Sequence, residues 1–122
     1  MKRCLFLVLA LALAMWAPIP AQADCPGITQ GLFPITSSYQ QLTVSNTAVG
    51  LTYPTNRNVV LAVVVVEGND IRFRDDGTSP TASVGTPVLA GLTIPLCGTS
   101  ISSFKAIRVS GDAVLNVSYY GQ

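Results

Sequence analysis

The sequence predicts an all-β chain: a single antiparallel β-sandwich or jelly-roll-like domain of about eight short strands behind a removable leader. Three observations carry this. Beyond residue 23 the chain is a series of short runs rich in Val, Ile, Thr, Leu and Tyr. Gly, Pro, Asn and Asp punctuate these runs at intervals of about eight to twelve residues. No stretch of the same region repeats its apolar residues with the 3.6-residue period of an amphipathic helix. A length of 122 residues with 49% hydrophobic and 11% charged side chains suits one compact core.

The leader comes first. Lys2 and Arg3 precede an apolar run from Leu5 to Trp16, then Pro18 and Pro20 break the chain before Ala21-Gln22-Ala23. This order is that of a secretory signal peptide, cleaved after Ala23 to leave a domain of residues 24–122. The 14 residues between Arg3 and Pro18 are too few to cross a bilayer as a helix, which takes about 20. Asp24, directly before Cys25, does not suit lipid attachment at that cysteine. The expected destination is therefore periplasmic or extracellular, with no membrane span in the mature form.

The strands follow in order. Gln40 to Val44 and Ala48 to Tyr53 are β-rich runs separated by Asn46 and closed by Pro54. Val59 to Val66 is apolar at successive positions, which predicts a central strand covered on both faces. Glu67-Gly68-Asn69-Asp70 then offers turn residues, so that Ile71 to Arg74 is expected to fold back as a hairpin with Ile71 and Phe73 inward. Ala82 to Val84 and Leu92 to Leu96 are shorter candidates. A second hairpin is expected from Phe104 to Val109 through Ser110-Gly111-Asp112 to Ala113–Tyr120, where Ala113, Leu115, Val117 and Tyr119 share one face. That last strand carries no charge, so it pairs either centrally or with a neighbouring subunit.

Cys4 leaves with the leader, and Cys25 and Cys97 remain for an oxidising compartment. An intramolecular disulfide is expected between them. Closing a loop of about 73 residues stabilises a fold by roughly 4 kcal/mol through loop-closure entropy.

Composition excludes several classes of chemistry. The chain has no His, which removes the commonest general base and metal ligand. No serine stands in a Gly-x-Ser-x-Gly elbow, and the expectation is a non-enzymatic protein without a cofactor. Seven basic residues against six acidic ones, with no basic run beyond Lys2-Arg3, do not make a nucleic-acid surface. The one polar constellation is Asp70, Arg72, Arg74, Asp75, Asp76 and Thr78, a candidate ligand-binding loop. Asp70, Asp75 and Asp76 could together offer oxygen ligands to calcium, but their spacing matches no known calcium loop, and turn capping with local Arg pairing explains them better. No metal site is assigned. Tyr39, Tyr53, Tyr119 and Tyr120 could form an aromatic strip, although strand aromatics more often pack across strands.

The stretch IRFRDDGTSPTASVGTPV from Ile71 to Val88, with FKAIRVSGDAVLNVSYY from Phe104 to Tyr120, resembles small β-domain accessory proteins of tailed bacteriophages. Arg72 to Thr78, Pro80 to Gly85 and Leu115 to Tyr120 are the positions that match. The resemblance covers about half the chain and implies a virion-associated or accessory structural role. The expected function is thus that of an exported, disulfide-stapled structural domain that self-associates or is displayed on a cell surface, filament or particle. The alternative is a module that binds a glycan or a surface protein through loops at one end of the sandwich.

Overall fold

A computed structural model describes residues 31–35 and 38–122 of the chain. The leader, its cleavage site and Cys25 lie outside the described residues. Among the described residues, nine strands form two antiparallel sheets and there is one short helix. Sheet A contains β1 (Phe33–Pro34), β2 (Gln40–Val44), β4 (Val59–Glu67), β7 (Thr93–Cys97) and β9 (Ala113–Gly121). Sheet B contains β3 (Val49–Gly50), β5 (Ile71–Arg74), β6 (Thr86–Val88) and β8 (Lys105–Arg108). The helix α1 (Thr99–Ser103) links β7 to β8.

Sheet A runs β1-β9-β4-β7, with β2 sharing the β1 side of β9, and sheet B runs β3-β8-β5-β6. The predicted sandwich is therefore present, but both predicted hairpins are absent. β4 and β5 lie in different sheets, as do β8 and β9. Residues 67–70 and 109–112 are arches that carry the chain from one sheet to the other.

The arches run side by side and brace one another. The Asn69 side-chain amide donates to the Asp112 carbonyl at 2.8 Å, and the Val109 amide donates to the Asp70 carbonyl at 3.1 Å. In effect one long antiparallel ribbon, β4-β5 against β8-β9, is folded over on itself, which is jelly-roll logic. Turn-forming residues at 67–70 and 110–112 serve an arch as well as a hairpin. Gly68 supplies the positive φ of 85° that the first arch needs.

Alternation places the core. Val44, Val64, Val66, Leu115, Val117 and Tyr119 of sheet A are buried, and they face Ile71, Ala106 and Phe104 from the sheet B side. Phe104 stacks on Phe73 with ring centroids 5.4 Å apart, so Ile71 and Phe73 both point inward as expected. Tyr119 packs on Tyr53 at 6.3 Å and donates its hydroxyl to Gln40 Oε1 at 2.9 Å. Burial, and to a smaller degree the neighbouring Tyr53, pushes the Tyr119 phenol up to about 12.

Three further expectations need correction. The other face of β4, carrying Leu61, Val63 and Val65, is half-buried and not covered by a second layer among the described residues. On that face Val63 stands between Pro95 and Ser118, and Val65 between Thr93 and Asn116. Ala82–Val84 is a loop, because Arg72 ties down the Ala82 and Gly85 carbonyls that a strand ladder would use. The expected strand from Ala48 to Tyr53 shrinks to Val49–Gly50: the Thr52 amide is taken by the Gln40 side chain at 3.1 Å.

Candidate functional site

The six residues of the polar constellation are spread along β5 and the loop that follows it. Asp70 stands at one end of β5, where its Oδ1 accepts the Ala90 amide at 3.0 Å. Asp75 and Asp76 stand at the other end, about 16 Å away at 3.3 Å per extended residue. Arg72 donates from Nε to the Ala82 carbonyl at 3.0 Å and from Nη1 to the Gly85 carbonyl at 2.8 Å. Arg74 grips both carboxylate oxygens of Asp76, whose Oδ1 also accepts the Thr78 amide at 3.0 Å. Asp75 accepts the Ser100 hydroxyl of α1 at 3.2 Å.

These bonds knit the loop 75–85 onto β5 and α1. The hydrogen bonds from Arg74 and from the Thr78 amide hold the Asp76 carboxyl down at about 2, so the ion pair is fully formed at neutral pH. Each charged side chain of the constellation is thus committed to a partner within the domain. Among the described residues no three Asp, Glu, Cys or His side chains converge as a metal would require.

The aromatic strip divides between two surfaces. Tyr119 and Tyr53 belong to the interior, while Tyr39 is 62% exposed on the outer face of sheet A; Phe33, 70% exposed, stands opposite Gly121 on the other face. The Tyr39 hydroxyl donates to Asn116 Oδ1, which also accepts the Gln41 amide at 3.0 Å. Two shallow depressions flank Tyr39. One is formed with Pro34, Ile35 and Tyr120, the other with Gln40, Thr52 and Tyr53.

Strand register shows how the outer strands end the sheets. The Ile35 amide donates to the Tyr119 carbonyl at 2.9 Å, so the odd-numbered residues of β9 direct their backbone groups toward β1 and β2. Pro34, opposite Tyr120, then faces solvent with the position where an N–H would stand. The Val66 amide donates to the Leu92 carbonyl at 3.0 Å, and the same parity turns Pro95 of β7 outward. Pro87 lies in the middle of β6, opposite Arg72, and is outward as well. Proline at an outward N–H is a recognised way to blunt an edge. β3 is two residues long.

β2 differs from all of these. Gln40, Leu42 and Val44 pair with Val117, Leu115 and Ala113, which leaves the backbone groups of Gln41 and Thr43 directed away from β9. The strand has five residues, no proline and no charge.

No family model, curated protein or solved structure matches this chain. Its surface must therefore be read from its own geometry. Nothing in the composition of Gln40–Val44 marks it as an edge; the usable clue is the prolines at 34, 87 and 95, which mark three of the outer strands, the two-residue β3 carrying none.

Proposed function

We propose that the chain is an exported structural β-domain that self-associates, acting on a cell surface, an extracellular filament or a particle, and that it is not an enzyme. The observation that carries this reading is the β2 edge: uncharged and free of proline in a domain whose other edges are short or proline-blocked. A low charge supports it, since residues 24–122 hold five basic and six acidic side chains and oppose association weakly. Export and a Cys25–Cys97 disulfide belong to the same proposal, on the strength of the leader pattern and the two cysteines that survive its removal. The likeness of residues 71–88 and 104–120 to bacteriophage accessory proteins supports a place on a particle.

A second reading, a glycan-binding module, is favoured by one observation: exposed Tyr39 between two depressions, next to the Gln41 and Asn116 amides. An aromatic face beside amide groups suits a sugar ring. Sedimentation of the exported wild-type protein at micromolar concentration separates the two. Self-association predicts a species of at least twice the monomer mass, with no retention on immobilised polysaccharide. A strict monomer that is retained on polysaccharide would establish the second reading instead.

A further inference from the structure

We infer that β2 is the contact between two copies of this chain, which join edge to edge as one continuous sheet about a two-fold axis at Gln41. The inference rests on the self-association reading and adds the surface and the register.

Two sets of backbone groups decide the register. Register parity turns the N–H and C=O of Gln41 and Thr43 outward, and the same parity extends to Tyr39 just before the strand. The next outward carbonyl, that of Ser45, is already taken by the Arg108 amide at 3.1 Å. Among the described residues the free set is therefore Tyr39, Gln41 and Thr43, which is symmetric about Gln41. An antiparallel copy places Gln41 against Gln41 and Tyr39 against Thr43 on either side. About six main-chain hydrogen bonds result, two for each hydrogen-bonded pair.

Chemistry favours a second copy over a foreign strand. An isologous contact brings each residue near its own equivalent, so any charge on β2 would meet its like, and β2 has none. Tyr39 and Gln41 are held to Asn116 on the outer face of sheet A, which keeps their side chains off the edge they flank. Exposed Tyr39, on the outer face beside the strand, supplies apolar area that the backbone ladder alone lacks.

The decisive variant copies what the other edges already do. Gln41→Pro removes an outward N–H and no main-chain bond to β9, losing toward β9 only the exposed side-chain bond to Asn116, so it keeps the fold and blocks pairing. Full-length exported protein is compared by sedimentation with this variant and with Thr43→Lys, which puts a charge on each side of the axis. The expected result is a wild-type dimer and two monomeric variants whose thermal midpoints stay within a few degrees of wild type. Should Gln41→Pro fail to fold, Thr43→Lys decides alone. Oligomers that survive both substitutions overturn β2 as the contact and leave self-association standing. A wild type that is monomeric throughout overturns both.

Discussion

Val64→Asp is expected to abolish folding. Val64 is fully buried in β4, paired laterally with Val117 of β9 and Ile94 of β7. A carboxylate there has no partner among the core residues, and an unpaired buried charge costs several kcal/mol even after relaxation. That compares with a total stability of roughly 5–15 kcal/mol for a small domain. The neighbouring Val63 sits on the outer face, half-buried, and Val63→Asp lets its carboxylate reach water. The expected pair of results is loss of the cooperative thermal transition for Val64→Asp and retention of it for Val63→Asp. Equal behaviour of the two variants would mean that the inward face of β4 has been misassigned.

Phe104→Ala is expected to cost about 3–5 kcal/mol, the range for deleting a buried aromatic side chain. Phe104 is 1% exposed, caps the end of α1 and stacks on Phe73. It holds sheet B to the connection that leaves β7, so its removal opens a cavity where three elements meet. For a domain of this size the thermal midpoint should fall by more than about 12 °C. A calorimetric shift of only a few degrees would show that the site collapses around the smaller side chain and contributes little.

The faces of the strands were legible in the sequence, and their partners were not. Gln40–Val44 and Ile71–Arg74 are strands with the expected bounds, and Ala113, Leu115, Val117 and Tyr119 are buried together on the inner face of β9. Alternation fixes which side chains point inward, but it is silent on which sheet a strand joins. Two strands joined by a turn give the same pattern whether they form a hairpin or an arch. The bonds that decide it here, Asn69 to Asp112 and Val109 to Asp70, join residues far apart in sequence.

The outer half of β4 misled for a related reason. Leu61, Val63 and Val65 suggest a second covering layer, yet they are only half-buried, and no second layer covers them among the described residues. The constellation at 70–78 was legible as turn chemistry, because Asp76 binding its own Thr78 amide and Arg74 is a local event. The β2 edge was not, since an edge is defined by what fails to lie beside it.

β9 is an interior strand and β2 an open one, and residue-resolved amide exchange measures this directly. In dilute Thr43→Lys protein the amides from Val114 to Tyr120 should all exchange slowly, because alternate residues of β9 donate to β4 on one side and to β1 and β2 on the other. Along β2, Leu42 and Val44 should be slow and Gln41 fast. Alternating fast and slow exchange along β9, with uniform protection across β2, would make β9 the edge and β2 the interior strand.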